Sequence, residues 1–228
     1  MRRRRDLWIG CTVAVLGLGI IAPLLTYYNM QPDSVWSIGI GSMPRSWEEY
    51  LLVNVTALLF APVLMIMLWP RLRLSQFGLR RPITRAAPLA LLLYVIMLPL
   101  LLITSRWTIF QNYYPMQPLA AVNLHYFIYY ELTYGFYLWC WEFFYRGFLT
   151  FGLARAIGLS YAIVVQAAAF GLMHVGKPWP EMAGSFIAGL VLGWLAVRVR
   201  SFWPGFGAHW AVAVTFDVLI IHARGGIF

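Results

Sequence analysis

The sequence has few charged residues and almost no cysteine. Only 11% of its 228 residues are Asp, Glu, Lys or Arg, whereas 61% are hydrophobic. Soluble domains carry about 25% charged residues, so a soluble fold of this length is excluded. The two cysteines, Cys11 and Cys140, lie in apolar runs and offer neither a disulfide framework nor the spacing of a metal site. The composition therefore predicts a polytopic membrane protein.

Apolar runs of about the 20 residues that cross a bilayer dominate the chain. We predict an all-α bundle of about seven transmembrane helices, at residues 7–28, 50–69, 87–104, 119–153, 158–175, 182–197 and 203–222. The fourth run is too long for one plain span, so it either tilts or combines an interfacial stretch with a span. There is no internal repeat and no linker, which favours a single integral membrane domain over residues 1–228.

Positive charges are distributed unevenly between the predicted loops, and this asymmetry sets orientation. With the N-terminus inside, 12 fall on the cytoplasmic side: Arg2 to Arg5, Arg71, Arg73, Arg80, Arg81, Arg85, Arg155, Arg198 and Arg200. Only 4 fall outside: Arg45, Arg106, Lys177 and Arg224. The count predicts a cytoplasmic N-terminus on an uncleaved first span. The net charge of +9 is thus an orientation signal that also attracts anionic lipid, rather than a nucleic-acid surface.

Six ionisable side chains lie inside predicted spans, where a charge costs at least about 2.5–3.5 kcal/mol on insertion scales and marks a functional site by default. They are Glu131, Glu142, Arg146, His174, His209 and Asp217. Glu142 and Arg146 are four residues apart, so on a helix their side chains are neighbours. This spacing is compatible with a purely structural ion pair, and also with a carboxylate that the arginine holds in a cavity where it polarises water.

Two histidines have neighbours that bear on their roles. Phe170 and His174 share one helix face, while His209 follows the stretch Pro204-Gly205-Phe206-Gly207-Ala208, which is predicted to break the helix. A new helix start leaves unsatisfied backbone N–H groups, and with a neutral imidazole these form an anion or oxyanion site. A lone histidine near a helix end, such as His174, is more often a hydrogen-bonded structural group than a catalyst. Asp217 is either a second carboxylate or a partner for a neighbouring helix.

The order of these motifs resembles the CPBP family. The sequence has Glu-x-x-x-Arg-Gly from residue 142, Phe-x-x-x-His from residue 170, and His209 after a Pro/Gly-rich break. The stretch Phe77-Gly78-Leu79-Arg80-Arg81-Pro82 also looks like the segment that precedes that family's core spans. The resemblance covers about residues 75–217, and residues 1–74 add N-terminal spans. The family comprises CAAX prenyl endopeptidases and bacteriocin-processing or self-immunity proteins, which are intramembrane proteases of glutamic type.

The resemblance implies catalytic roles. Glu142 and His174 would position and activate water, Arg146 would orient the glutamate, His209 would stabilise the oxyanion, and Phe170 would be accessory. The chemistry is sound, because a carboxylate in low dielectric can act as a general base and fixed donors stabilise a tetrahedral oxyanion. The resemblance implies no cofactor and no required metal, although two histidines and a glutamate are enough for a three-ligand metal site. It also implies a membrane-associated protein or peptide substrate, and our default location is a prokaryotic cytoplasmic membrane.

Two positions depart from the family pattern and leave alternatives open. Trp141 stands where the family has the first of two glutamates, and Ala213 stands where it has an asparagine four residues after His209. A catalytically silent member acting as a binding, immunity or scaffold protein is the first alternative; a transporter or channel is another, although no repeated half supports it. Glu131 shares a helical face with Glu142 but lies about 16 Å away along the axis. It is therefore an accessory, substrate-access or interfacial residue.

Overall fold

The computed structural model describes residues 2–26, 46–80 and 86–228. In this part of the chain the regular structure is helical and contains no strand, which confirms the predicted all-α class. The α-helices are α1 (Arg2–Leu24), α2 (Trp47–Val55), α3 (Ala61–Leu68), α4 (Ala87–Thr104), α5 (Thr108–Gln111), α6 (Leu124–Glu142), α7 (Thr150–Ile157), α8 (Leu159–Leu172), α9 (Trp179–Val199) and α10 (Trp203–Ala223). A π-helical segment, Thr56–Phe60, joins α2 to α3, and a second, Phe143–Leu149, joins α6 to α7.

Within the described residues, five helices are long and apolar enough to cross a membrane, and they make the chain an integral membrane protein. They are Arg3–Leu24, Trp47–Leu68, Ala87–Thr104, Trp179–Val199 and Trp203–Ala223. The predicted number of seven is not confirmed. The remaining two predicted spans are helical, but α8 has only 14 residues, and the helical run from α6 to α7 includes Glu131, Glu142, Arg146 and Arg155, which lower its hydropathy.

Some features named in the sequence fall outside the described residues. These are Arg45, Arg81, Pro82 and Arg85, together with residues 27–28 at the end of the first predicted span. The cytoplasmic orientation of the N-terminus stays a prediction.

Contacts within the chain divide it into two compact units. The first consists of Met1–Arg81 and Cys140–Trp203, and the second of Pro82–Trp139 and Pro204–Phe228. In the first unit, α1 packs on α7 and α8 packs on α9. A Cβ atom added to Gly189 of α9 would lie 2.9 Å from the Cα of Ala167 in α8. Small residues at such crossings let membrane helices approach closely and gain dispersion contacts.

The π-helical segment Phe143–Leu149 lies at the centre of the first unit, and all seven of its residues are buried. A π turn shifts the backbone hydrogen bonds by one residue. The hydroxyl of Thr150 adds a bond across this turn by donating to the backbone oxygen of Tyr145 at 2.8 Å. The 3-10 turn Leu74–Phe77 packs against the segment, where Phe77 stacks on Phe148 with 6.1 Å between ring centroids.

The second unit is organised by aromatic contacts between α5, the loop that follows it, and α10. Phe110, Tyr114 and Ile220 form its buried core. Phe216 meets Phe110 edge-on at 5.2 Å between ring centroids. The hydroxyl groups of Tyr94 in α4 and Thr215 in α10 are 2.9 Å apart and share a hydrogen bond. This hydrogen bond satisfies both hydroxyl groups, which lie on largely apolar helices.

Candidate active site

Glu142 and Arg146 form a completely buried ion pair in the first unit. The Arg146 Nε and the Glu142 Oε2 are 3.2 Å apart, and neither side chain has any solvent exposure. The atoms are at ion-pair distance without the alignment of a hydrogen bond. The predicted proximity of these two residues is confirmed. A lone buried charge of either sign would be far more costly than the pair, so each residue makes the other tolerable in the membrane.

The guanidinium group of Arg146 lies flat against an aromatic ring. Its Cζ is 3.9 Å from the ring centroid of Phe170, close enough for a cation–π interaction. Its Nη1 and Nη2 atoms are buried and have no hydrogen-bond partner among the described residues. Glu142 and Phe170 therefore hold the arginine from two sides, and its Nη donors remain available to an acceptor. The first two family motifs thus meet directly.

The backbone fixes the orientation of the His174 imidazole. Its Nδ1 is 2.8 Å from the backbone oxygen of Phe170. Because a carbonyl oxygen only accepts, Nδ1 carries the hydrogen and donates it in the neutral imidazole, so that Nε2 carries a lone pair. His174 is 6% exposed and packs on the Phe170 ring at 4.6 Å between centroids.

A carboxylate that the sequence analysis missed faces this lone pair. The Oε1 of Glu181, in the first turn of α9, is 4.0 Å from the Nε2 of His174 and 2.8 Å from the Nζ of Lys177. Gly176, with φ of +92°, makes the turn between α8 and α9, and the Lys177 N–H then donates to the backbone oxygen of His174. Glu181 lies one residue before the predicted span 182–197, outside the set of ionisable side chains within the predicted spans. One sequence signal could have identified Glu181. It is an acidic residue at the start of an apolar helix, seven positions after the motif histidine His174.

Trp141 occupies the space beside the histidine. Its ring lies 6.2 Å from the His174 ring at an interplanar angle of 81°, and 6.0 Å from the Phe170 ring. It also packs on Tyr145 at 5.0 Å between centroids. The indole is buried, with 5% exposure. An apolar ring thus stands beside the histidine at the position where the family pattern has its first glutamate.

In the second unit, Glu131 and Asp217 are brought together. Glu131 is 5% exposed and Asp217 is 1% exposed, and their carboxyl groups are close enough to interact electrostatically. The indole N–H of Trp210 donates to the backbone oxygen of Glu131 at 3.2 Å and fixes that part of α6. The two residues left as accessory by the sequence thus form one buried acid pair.

His209 lies in the second turn of α10, in the second unit, and is partly exposed. The predicted helix break precedes Pro204 rather than following it, because α10 begins at Trp203 and continues through Pro204 to Ala208 without interruption. Proline fits the first turn of a helix, where its missing N–H would have had no partner. The unsatisfied backbone N–H groups therefore belong to the first turn, before His209, and Ala213 follows His209 by one turn. The oxyanion role of His209 stays a prediction from the resemblance.

The arrangement of His174 and Glu181 in the first unit can support proton transfer from a water molecule. A water molecule at about 2.8 Å from both Nε2 of His174 and Oε1 of Glu181 would meet ordinary hydrogen-bond geometry, with the imidazole placed to take its proton. In the described part of the chain, no three His, Cys, Asp or Glu side chains are grouped in a way that could hold a metal ion.

Comparison with known proteins connects this arrangement to a family. Residues 123–215 match the family model described as type II CAAX prenyl endopeptidase Rce1-like. No curated protein and no solved structure matches the chain. The match includes the candidate site residues Glu131, Glu142, Arg146, His174, Glu181 and His209. It ends two residues before Asp217. The predicted resemblance is thus confirmed over residues 123–215, whereas the stretch at residues 77–82 lies outside the match.

Proposed function

The chain carries an Rce1-like domain of the CPBP family, and on that premise we propose that it is an intramembrane endopeptidase. It hydrolyses a peptide bond in a membrane-associated protein or peptide, in the cytoplasmic membrane of a prokaryotic cell. The observation that carries this proposal is the His174 imidazole, which donates through Nδ1 to the backbone and faces the Glu181 carboxylate through Nε2. A base whose tautomer is fixed and whose protonated form has a carboxylate nearby is the arrangement that general-base catalysis needs.

In the proposed reaction, His174 removes a proton from water as the water oxygen attacks the carbonyl carbon of the scissile bond. Glu181 orients the water and stabilises the imidazolium that forms. The carbon–nitrogen bond then breaks, and His174 returns the proton to the leaving amine. All groups needed for acid–base transfer are thus residues of this chain.

Glu142 and Arg146 also act as positioning residues in this scheme, and the water-activating role that the resemblance implies for Glu142 stays a prediction. The glutamate holds the guanidinium, the guanidinium packs on Phe170, and the backbone oxygen of Phe170 accepts the Nδ1–H of His174. The path from the buried ion pair to the imidazole therefore consists of three direct contacts.

The test is comparative terminal proteomics on membranes from cells expressing matched amounts of the wild type, His174→Ala, Glu181→Gln and Lys177→Gln. We expect peptide termini that appear with the wild type and are lost in the first two variants, because general-base catalysis contributes about 10²–10⁴-fold. Lys177→Gln is the matched control, since it breaks the same ion pair from the other side. A partly exposed pair is worth about 1 kcal/mol at most, so this variant should stay within about fivefold of the wild type.

The result that contradicts the proposed role of Glu181 is an equal loss in Glu181→Gln and Lys177→Gln, because it would make their ion pair structural. Circular dichroism and detergent melting of each purified variant separate loss of chemistry from loss of fold.

The second candidate function is a catalytically silent binding, immunity or scaffold protein, and Trp141 is the observation that favours it. An indole packed beside His174 excludes the carboxylate that the family places there. Under this hypothesis no peptide terminus depends on His174, while folded His174→Ala retains the cellular function. The same proteomic comparison therefore decides between the two candidates.

A further inference from the structure

A cavity of about 480 Å³ in the first unit has an unusually basic lining. Four arginines contribute to it from four separate parts of the chain: Arg5 of α1, Arg80 after the 3-10 turn, Arg155 in the last turn of α7, and Arg200 at the end of α9. Asp6 is the one acidic residue among the residues that line it. Four like charges around one cavity repel each other unless an anion lies between them. We propose that this cavity binds the phosphate of an anionic phospholipid headgroup.

Arg155 lines the cavity and contacts Asp6, Gln76 and Phe77. Its Nη1 is 3.4 Å from the Oδ1 of Asp6, and its Nη2 donates to the Oε1 of Gln76 at 3.1 Å. The ring of Phe77 lies 5.5 Å below its Cζ. The remaining donor, Nε, is buried and has no hydrogen-bond partner among the described residues. Asp6 thus offsets one arginine, and the other three leave a strong excess of positive charge.

Two residues that line the cavity have left-handed backbone conformations. Gly78 lies in the lining with φ of +78°, and a Cβ atom there would be 3.0 Å from the ring of Phe151. Arg200 ends α9 with φ of +54°, a left-handed conformation that is uncommon for residues other than glycine. Residues held in such conformations gather at ligand sites.

The position of the cavity along the helices favours a lipid as the source of the phosphate. Arg5 lies at the beginning of one candidate span, and Arg200 directly follows the end of another. All four arginines belong to the set that charge asymmetry assigns to the cytoplasmic side, where the anionic headgroups of the inner leaflet lie. Basic pockets between membrane helices at this level bind lipid headgroups. This inference concerns the cytoplasmic end of the first unit and does not depend on the proposed peptidase activity.

The test is native mass spectrometry of the purified full chain in detergent, titrated with phosphatidylglycerol or with phosphatidylcholine of the same acyl chains. We expect preferential binding of phosphatidylglycerol. Arg80→Gln should weaken it about fivefold, and Arg80→Gln with Arg200→Gln about 25-fold, given the typical contribution of a basic residue near anionic lipid. The matched controls are Arg73→Gln and Arg198→Gln, exposed arginines near Arg80 and Arg200 that lie outside the cavity lining.

Three results would overturn the proposal. Equal binding of the two lipids would show that the cavity has no headgroup preference. Equal weakening in the control variants would assign the preference to general surface charge. Competition of phosphatidylglycerol by millimolar inorganic phosphate would identify a site for free anions instead of lipid. Detergent melting temperatures accompany each variant, and the wild-type comparison of the two lipids tests the proposal even where a variant fails to fold.

Discussion

Beside His174, an aromatic ring occupies the position of the family's first glutamate, and a carboxylate from another helix lies next to the imidazole in exchange. Trp141 supplies an aromatic edge where a glutamate is expected, and Glu181 brings a carboxylate to the same imidazole from α9. A base needs its carboxylate partner within reach of the ring or of the attacking water, irrespective of the helix that supplies it. The exchange is therefore chemically consistent with retained activity.

We expect Trp141→Glu to increase the cleavage rate, by about tenfold or more, because a second carboxylate beside the water adds general-base capacity that is typically worth 10²–10⁴-fold. The measurement is cleavage of a substrate identified by terminal proteomics, in detergent, with Trp141→Gln as the control of similar size and no charge. If Trp141→Gln accelerates the reaction equally, the gain comes from removing the indole and the family position carries no base function here.

The buried Glu142–Arg146 pair limits what a single substitution at Glu142 reveals. Removing one partner of a buried ion pair typically destabilises a protein by about 3–5 kcal/mol. Loss of cleavage in Glu142→Gln would therefore follow from misplacement of Arg146 and Phe170 as readily as from loss of a base. Glu181 is a cleaner site to test, because its side chain is 24% exposed and its substitution leaves no deeply buried charge.

At the scale of elements, the π-helical segment Phe143–Leu149 determines where the motif residues lie. It begins directly after Glu142 and includes Arg146, so the two charges meet across the junction between α-helical and π-helical geometry. Its close contact with the 3-10 turn Leu74–Phe77 depends on Gly147. This contact explains physically why a glycine follows the motif arginine.

Gly147→Ala is expected to destabilise the first unit by about 1–3 kcal/mol, the usual cost of forcing extra atoms into packed space. The added Cβ would lie 2.6 Å from the backbone oxygen of Phe77, which cannot move aside as a side chain would. Gly184→Ala in α9 is the control, because nothing lies within 4 Å of its added Cβ. It should be neutral or slightly stabilising, as alanine is favoured in helices. Detergent melting measures both, and equal melting temperatures would contradict the packing argument.

At the scale of the whole molecule, the bilayer is the solvent. Exposed Leu, Val, Ile and Met side chains are common along the candidate spans. In water such surfaces would cause aggregation, whereas lipid tails solvate them. The uneven distribution of arginines then predicts which ends of the spans face the cytoplasm. The cavity lined by Arg5, Arg80, Arg155 and Arg200 gathers four residues that the charge count assigned to one side, which supports the predicted orientation.

The orientation predicts the labelling of engineered cysteines. In a background with Cys11 and Cys140 replaced by serine, a membrane-impermeant maleimide applied to intact cells should label Arg224→Cys. It should label Arg198→Cys only after permeabilisation, because that residue lies in the last turn of α9, at the end that is predicted to face the cytoplasm. Both positions are exposed. The reverse pattern would invert the topology and place the basic cavity in the outer leaflet.

The sequence by itself determined the class of the protein, most of its helices and the family motifs. Composition alone excludes a soluble fold, because water cannot solvate so apolar a surface. The apolar runs placed α4 at residues 87–104 as observed and α10 within one residue. The pairing of Glu142 with Arg146 follows from helical spacing, which is a local property.

Only the tertiary structure decided which distant side chains meet. Glu181 reaches His174 through a turn that depends on Gly176, Glu131 meets Asp217 although 86 positions separate them in the chain, and the four arginines of the cavity come from four elements. These contacts arise from how helices pack, and helix packing depends on the shapes of whole surfaces. No single motif in the sequence records those shapes, so the carboxylate beside His174 and the basic cavity became apparent only once the chain was folded.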